Sequence, residues 1–397
     1  MELLFTIKEV AKDSLQRIKH KYLPFPMKIG QDELHLQKTM EWLWLSCENG
    51  QGGSASHYNL VNGKWLDPFP ETTGYIIPTF FDYAEMYGEK RFYDRAIRLT
   101  DWLGEAQLDN GACMQGSWNR SKGKNKPIIF NTGQNIFGWL RTYQETREQK
   151  YLDMALKAGD FLCRSTGEDL IWNQHLHNNI PHTYNSRVSW SLLLLAEETG
   201  LQKYRDVALA NLDWVVEQQL TNGWFQNCNF KPGEYPNTHG IAYTTRGLLE
   251  SYLVSKDEKY LDAAQRTAHK LFRIFELRKY IRTFWDEKWR NHGKFLKSSK
   301  GPYICLTGNI QISIVWMKLY EITGDATYMN SAMKMLDFIK SLQYVDHPKK
   351  ELNGGIKGSF PFYGRYSIIK MPNWAAKFFV DAMMLKIRLQ DEIAKNN

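Results

Sequence analysis

The chain has 397 residues, of which 43% are hydrophobic and 24% are charged, and its formal net charge is +8 at pH 7. This ordinary globular composition excludes wholesale disorder, collagen-like repeats and low complexity. The basic residues are scattered and form no stripe of the kind that binds nucleic acid. We therefore expect no nucleic-acid partner, while the positive excess suits an acidic ligand.

The N-terminal segment, residues 1–30, begins with charged residues that recur every few positions. A signal peptide needs an apolar core, a membrane-spanning helix needs about 18 uncharged apolar residues, and neither is found. The five cysteines are odd in number and far apart, which argues against disulfides and structural zinc. We therefore predict a cytoplasmic protein without membrane insertion, in which residues 1–30 form a helical extension.

A repeated amphipathic helix of the form K-Y-L-D-x-A gives the strongest signal along the chain. In each copy the apolar residues fall at positions i, i+3, i+4 and i+7, and the charged residues lie on the opposite face. This pattern is typical of a helix with one face in water. A looser first copy precedes five clear ones, and the six occupy residues 33–45, 91–103, 150–162, 203–216, 259–272 and 327–339.

A second kind of helix alternates with the first, follows a small-residue turn and carries few charges. Residues 188–196 and 308–317, for example, contain no charged side chain. A helix that is apolar all round is buried on all sides. The starts of these six helices are marked by Gly74, Gly133, Ser186, Gly240, Gly308 and Asn373.

Strict alternation of six half-exposed and six buried helices predicts an all-α (α/α)6 toroid, with six helical hairpins in two concentric rings. A linear solenoid is the alternative, although its helices need not divide so cleanly into two classes. The long connections all lead into the N-terminal ends of the inner helices, so we expect a cleft there. Asn-Gly turns within them predict short β-hairpins at the cleft end. We assign residues 31–397 to this single domain.

The alternating helix pairs and their Gln-x-x-x-Gly turns resemble the (α/α)6-toroid superfamily of carbohydrate-active enzymes over residues 31–390. Members of this superfamily include six-hairpin glycosidases, uronate polysaccharide lyases and sugar epimerases. The resemblance therefore implies the fold, and the reaction must be inferred from the residues of the site. We expect no cofactor and no metal, because His175, His177 and His182 lie in a polar loop without an accompanying carboxylate.

The starts of the inner helices direct free N–H groups toward the expected cleft, which favours anionic ligands. The side chains near these starts are rich in His, Tyr, Asn and Arg, and each has an alternative role as a helix cap or core group. We predict catalytic roles for His239, Tyr243, Tyr184, Asn185, Arg187 and Glu234. We predict substrate-binding roles for Tyr75, Asn131, Gln134, His182, Trp224, Asn309, Arg365 and Lys370.

This set of side chains favours β-elimination or C5 epimerisation of a uronic acid, because both reactions need a base, an acid and a group that stabilises an enediolate. We therefore expect a lyase or epimerase that acts on an acidic oligo- or polysaccharide. One alternative is a six-hairpin glycoside hydrolase that uses Glu71 or Glu234 as one of its carboxyls. Another is a non-catalytic protein for glycan binding or polysaccharide assembly. The sequence does not determine the oligomeric state.

Overall fold

The computed structural model describes residues 2–22, 30–118, 126–292 and 303–396, and its helices follow the predicted alternation. In chain order they are α1 (Glu2–Tyr22), α2 (Asp32–Glu48), α3 (Pro70–Tyr87), α4 (Lys90–Glu105), α5 (Ile129–Thr146), α6 (Gln149–Arg164), α7 (Ser186–Thr199), α8 (Gln202–Glu217), α9 (Thr238–Ser255), α10 (Glu258–Arg278), α11 (Leu306–Thr323), α12 (Ala326–Lys340) and α13 (Asn373–Asn396). The odd-numbered helices from α3 to α13 contact one another in sequence, and α13 returns to α3. The predicted (α/α)6 toroid is therefore confirmed.

The inner and outer rings differ in the way that the two hydrophobic patterns predict. On the outer helix α4, the buried residues Phe92, Ala96, Leu99 and Leu103 form one stripe. The inner helix α11 is instead buried along nearly all of its length. Each outer helix packs against the inner helix that precedes it, and α2 packs against α13 to complete the ring.

Five joints from an inner helix to the next outer helix are only two residues long. The first residue of each joint has a left-handed backbone, as at Gly88 with φ 69° and Arg147 with φ 59°. Such a residue ends a helix in about one turn and reverses the chain. These short joints occupy one end of the toroid, so the long connections and the starts of the inner helices share the other end.

The Gln and Asn-Gly elements of the repeat connect neighbouring outer helices. Gln219, after α8, donates from Nε2 to Ala263 O and Thr267 Oγ1 of α10, both at 2.8 Å. Gly223 in the following turn has φ 84° and lies against the backbone of Arg266, where a Cβ atom has no room. The repeated Gln and Asn-Gly residues therefore have a structural role, because they hold the loops in place between neighbouring outer helices.

Within the described ranges seven short strands lie in the long connections. Two pairs of neighbouring strands form the expected β-hairpins, and the other pairings join connections that are far apart in the sequence. The seven strands are β1 (His57–Asn59), β2 (Lys64–Trp65), β3 (Phe284–Trp285), β4 (Asn291–His292), β5 (Ile304–Cys305), β6 (Ser359–Phe360) and β7 (Lys370–Pro372). All pair antiparallel, in the orders β2-β1-β7, β3-β4 and β5-β6. The Asn-Gly turn before Trp224 instead closes a single bridge between Gln219 and Phe225.

Helix α1 precedes the toroid and contacts its loops. Thr6 Oγ1 donates to Leu60 O at 2.9 Å, and Asp13 pairs with Lys357 Nζ at 2.5 Å. The division into an extension, residues 1–30, and a toroid stays a prediction. All five cysteines are free. Within the described ranges, none of the helices combines the length and the apolar character that crossing a membrane requires.

The closure of the ring is held by Asp32 at the start of α2. Its carboxylate lies 2.5 Å from Lys340 Nζ of α12 and 2.6 Å from Lys386 Nζ of α13. Burial acts to raise the pKa of Asp32, but the hydrogen bonds from the two lysines outweigh it and hold that pKa below its usual value. Both lysine side chains are only 5% exposed. Asp337 adds a second carboxylate, 3.0 Å from Lys340 Nζ and 3.9 Å from Lys386 Nζ, so Asp32 is the nearer of two compensating charges.

We expect Asp32→Asn to lower the free energy of unfolding by about 1.5–3 kcal/mol, because it removes the nearer carboxylate from two buried ammonium groups and leaves only Asp337 beside them. Asp94→Asn is the matched control, since Asp94 pairs with Lys90 on the open surface of α4 and should cost less than about 1 kcal/mol. Urea denaturation of both variants measures the difference. Equal losses in the two variants would show that Asp32 does not hold the ring closed.

Candidate active site

A cavity of about 210 Å³ opens at the end of the toroid where the inner helices begin. Its walls come from the first turns of α3, α5, α9 and α13 and from the connections between them. The lining residues are Phe69, Glu71, Thr72, Tyr75, Phe130, Asn131, His177, Tyr184, Phe230, His239, Tyr243, Tyr366 and Trp374. Aromatic rings dominate this set, and flat rings suit the C–H faces of a sugar.

Glu71 is the only carboxylic acid among the described residues that line the cavity. It lies in the first turn of α3, directly after Pro70, which favours the start of a helix. Burial raises the pKa of Glu71 to about 7, against the opposing effect of the Arg187 charge. A carboxyl group with this pKa exchanges its proton near neutral pH and is suited to general acid or base catalysis.

His239, in the first turn of α9, lies on another side of the same cavity. Burial, reinforced by Arg187, lowers the pKa of His239 to about 3, so its ring is neutral near pH 7. Gln311 Nε2 donates to Nδ1 of His239 at 3.1 Å, which leaves the proton on Nε2. The His239 ring also lies 4.1 Å from the Tyr243 ring, centroid to centroid. His239 is thus an oriented hydrogen-bond donor rather than a strong base.

The aromatic walls are held by ring contacts between successive repeats. The Tyr184 ring lies 5.0 Å from Phe130, edge to face, and 5.3 Å from Phe230. On the α13 side, Trp374 Nε1 donates to the Tyr366 hydroxyl at 2.9 Å. These contacts fix the rings before any ligand binds, which reduces the entropy lost on binding.

Arg187 lies behind the aromatic wall and does not line the cavity. It is 2% exposed, and its guanidinium lies 5.0 Å from the Tyr243 ring centroid. Its Nε donates to Gln134 Oε1 at 3.0 Å. Burial, together with the nearby Arg246, lowers the pKa of Arg187 to about 10, which still leaves it charged near neutral pH. It therefore contributes a positive potential to the site without a direct contact.

Five of the residues predicted from the sequence do line the cavity. They are His239, Tyr243, Tyr184, Tyr75 and Asn131. Asn131 is held by a hydrogen bond from its Nδ2 to Met114 O at 2.9 Å. Their roles in catalysis or binding stay predictions.

Arg187, Gln134 and Asn309 are not among the described residues that line the cavity, and their roles stay predictions. Arg187 and Gln134 are hydrogen-bonded to each other behind the wall. Asn309 is fully buried, and its Nδ2 donates to Ile281 O and Cys305 O while its Oδ1 accepts from Ile281 N. Asn309 therefore fastens the loop that precedes α11.

Asn185 and His182 are also not among the described residues that line the cavity. Asn185 faces a separate small recess beside Trp214 of α8. His182 Nδ1 lies 2.9 Å from Asn229 O and its Nε2 lies 2.6 Å from His177 O. Burial lowers the pKa of His182 to about 4. Its ring stacks on Tyr184 at 4.4 Å and supports the wall from behind.

The remaining four predicted residues belong to the loops around the cavity and are not among its described lining. Trp224 donates from Nε1 to Trp285 O at 3.2 Å and packs between two loops. Glu234 is buried in the turn after Gly233, Arg365 is exposed, and Lys370 is half-buried in β7. Position along the chain does not determine the direction of a side chain, either in these loops or on α5, α7 and α11, which carry Gln134, Arg187 and Asn309.

Sequence reasoning did not select Phe69, Thr72, Phe130, His177, Phe230, Tyr366 and Trp374 as substrate-binding or catalytic residues. Phe130 and Trp374 each lie next to a predicted helix start, so the helix-start rule could have found them. Phe230 and Tyr366 come from long loops without a periodic signal. No group of three or more His, Cys, Asp or Glu side chains within the described part of the chain is arranged to hold a metal ion.

Comparison with known families gives a match over more than half of the chain. The family described as Beta-L-arabinofuranosidase, GH127 catalytic domain, matches residues 55–281. This match includes Glu71, His239 and most of the cavity lining. No curated protein matches the chain by sequence.

Solved structures similar to this one include two unsaturated glucuronyl hydrolases and an epimerase. A heparin-specific glucuronyl hydrolase has a TM-score of 0.69 at 15% identity, covering 91% of this chain and 99% of its own. The enzyme from Bacillus sp. GL1 has a TM-score of 0.67 at 14% identity, covering 89% and 96%. Cellobiose 2-epimerase from Bacillus thermoamylovorans B4167 has a TM-score of 0.65 at 11% identity, covering 88% and 97%. At these identities the similarity supports the fold alone.

The raised pKa of Glu71 predicts a dependence of stability on pH. The native state holds this proton up to about pH 7, whereas the unfolded chain releases it near pH 4.5, so stability falls as pH rises between these values. We expect this contribution to amount to about 1–3 kcal/mol. It should be absent in Glu71→Gln, which does not titrate.

Denaturation of the wild type and Glu71→Gln at about pH 5 and about pH 8 measures this contribution, because other titrating groups cancel in the comparison. The wild type should lose more stability than the variant on going to the higher pH. Parallel changes in the two proteins would mean that the Glu71 carboxyl keeps an ordinary pKa.

Proposed function

The chain belongs to the Beta-L-arabinofuranosidase, GH127 catalytic domain family, and from this premise we propose that it hydrolyses glycosides with Glu71 as the general acid. The family is one of carbohydrate-active enzymes. The observation that carries the proposal is the position of the Glu71 carboxyl in an aromatic cavity, where burial raises its pKa to about 7. A general acid must hold its proton at the working pH and release it readily in the transition state.

The proposed step balances with water as the only co-substrate. Glu71 gives its proton to the glycosidic oxygen as the bond from that oxygen to the anomeric carbon breaks. Water then adds to the anomeric carbon, and the proton that it loses restores the protonated form of Glu71. The neutral His239 donates from Nε2 to an oxygen of the substrate, in the orientation that Gln311 imposes.

The size and lining of the cavity support recognition of a single sugar ring. Its volume of about 210 Å³ is smaller than the roughly 300–1,000 Å³ of pockets for drug-sized ligands. The rings of Tyr184, Phe230 and Trp374 offer flat apolar surfaces to the sugar, while the Asn131 amide offers hydrogen bonds. We therefore propose that one terminal sugar enters and that the rest of the glycan lies outside.

A second candidate function is lyase or epimerase chemistry on a uronic acid. The observation that favours it is that Glu71 is the only carboxyl in the described lining, whereas glycoside hydrolases usually use two. A single carboxylate with a pKa near 7 is suited to removing the C5 proton of a uronate. The buried charge of Arg187 favours an acidic oligosaccharide as the ligand in this case.

Product analysis separates these functions with one panel of substrates, which includes an aryl β-L-arabinofuranoside and disaccharides that end in saturated or unsaturated uronic acids. A hydrolase releases reducing ends without forming a new chromophore. A lyase forms an unsaturated uronate with ultraviolet absorbance, and an epimerase takes up solvent deuterium at C5 without cleavage. Binding without turnover of any substrate would support the glycan-binding alternative and contradict our proposal.

We expect Glu71→Gln to lower kcat/KM by about 10²–10⁴-fold, because the amide cannot supply the proton. Since the acid form is required, wild-type kcat/KM should fall as pH rises through about 7. Glu234→Gln is the matched control, because Glu234 is outside the described cavity lining, and its kcat/KM should stay within a few-fold of the wild type. Equal losses in both variants would exclude Glu71 as the particular acid.

We expect Trp374→Ala to raise KM by about tenfold with a smaller effect on kcat, because it removes a stacking surface from the cavity wall. Trp374→Phe keeps a ring but loses the hydrogen bond to Tyr366, so its KM should be intermediate. Trp224→Ala removes a tryptophan that packs between loops outside the cavity and should leave KM unchanged. Steady-state kinetics test all three, and an unchanged KM in Trp374→Ala would contradict this role.

A further inference from the structure

Exposed apolar side chains are concentrated on one side of α1. Leu4, Ile7 and Leu15 are 74%, 56% and 62% exposed. Separations of three and eleven residues place them on the same side of a helix. Large apolar side chains grouped in this way on a surface indicate an interaction site.

The charges of α1 are divided between its two sides. The acidic residues Glu9 and Asp13 are buried, where Glu9 accepts a hydrogen bond from the Tyr344 hydroxyl and Asp13 accepts one from Phe362 N at 2.7 Å. Lys8 and Lys12 are exposed. Lys8 and Lys12 therefore lie among exposed apolar residues, with Lys12 Nζ 5.1 Å from the Tyr344 ring centroid. The carboxylates of Glu9 and Asp13 instead contact the toroid.

Two loops that are hydrogen-bonded to α1 or to each other also carry exposed apolar side chains. Leu60 accepts the hydrogen bond from Thr6 and donates from its own N to Ile369 O at 3.2 Å. The residues next to this connection, Val61 and Ile368, are 47% and 51% exposed. We call Leu4, Ile7, Leu15, Val61 and Ile368 the α1 face.

We propose that the α1 face docks onto an anionic lipid surface. Apolar residues with lysines beside them on one helix side match the boundary between acyl chains and negatively charged headgroups. A second copy of this chain fits less well, because pairing two α1 faces brings Lys8 and Lys12 of both copies together. The net charge of +8 adds a general attraction to the same surface.

The α1 face and the cavity share one loop. The loop that carries Ile368 also carries Tyr366, which lines the cavity. The proposal does not depend on the chemistry of the site, so failure of the hydrolase proposal would leave it standing.

Co-sedimentation of the full chain with vesicles tests the docking. We expect binding to vesicles that contain phosphatidylglycerol to be at least about tenfold stronger than binding to phosphatidylcholine vesicles, and to weaken with added salt. The triple variant L4S/I7S/L15S and the variant K8E/K12E should each lose about tenfold or more in affinity. Leu277→Ser is the matched control, since Leu277 is 85% exposed on α10, and it should bind like the wild type.

Circular dichroism and thermal unfolding establish that the variants keep the fold, which we expect because all substituted side chains are exposed. Equal binding of L4S/I7S/L15S and the wild type to phosphatidylglycerol vesicles would overturn the proposal. Absence of wild-type binding would overturn it as well. If sedimentation velocity instead shows a dimer that the triple variant loses, without vesicle binding, then the face is an interface between copies of the chain.

Discussion

The burial of six helices on all of their sides is the constraint on which this structure depends. An apolar helix such as α11 must be covered by neighbours in every direction. The outer helices cover one side of each inner helix, and neighbouring inner helices cover the flanks. The last inner helix, α13, is covered in this way only because it packs against α3 and against the outer helix α2. Closure of the ring therefore follows from hydrophobic burial. Asp32 of α2 adds ion pairs at this point, with Lys340 of α12 and Lys386 of α13.

The same closure creates the site. Each inner helix follows a long connection, and the five from α3 to α11 lead into two-residue joints, so all six begin at one end of the toroid. Their first turns bring together Glu71, Asn131 and His239 from three different repeats. Removal of these groups from water shifts their proton affinities, which raises the pKa of Glu71 and lowers that of His239. The fold thus provides reactivity that no single repeat possesses.

Below the aromatic wall, the interior of the toroid carries charge as well as apolar side chains. Arg246 lies 3.3 Å from Glu250 and 3.8 Å from Asp381, and Lys377 also pairs with Asp381. Arg187 instead contacts the side-chain oxygen Oε1 of Gln134 and the surrounding aromatic rings. This arrangement leaves a positive potential beneath the cavity. The charge of Arg187 acts to lower the pKa of both Glu71 and His239.

The sequence by itself determined the helices, their two classes and the closed ring, because hydrophobic periodicity is a local property that each repeat displays. It also located Tyr75, Asn131, Tyr184, His239 and Tyr243 near the cavity, since each lies at or beside an inner-helix start. Only the tertiary structure decided that Glu71 faces the cavity, that Arg187 and Asn309 are used internally, and that Phe230 and Tyr366 reach in from distant loops. Side-chain direction and desolvation depend on neighbours far apart in the chain, and no local pattern in the sequence records them.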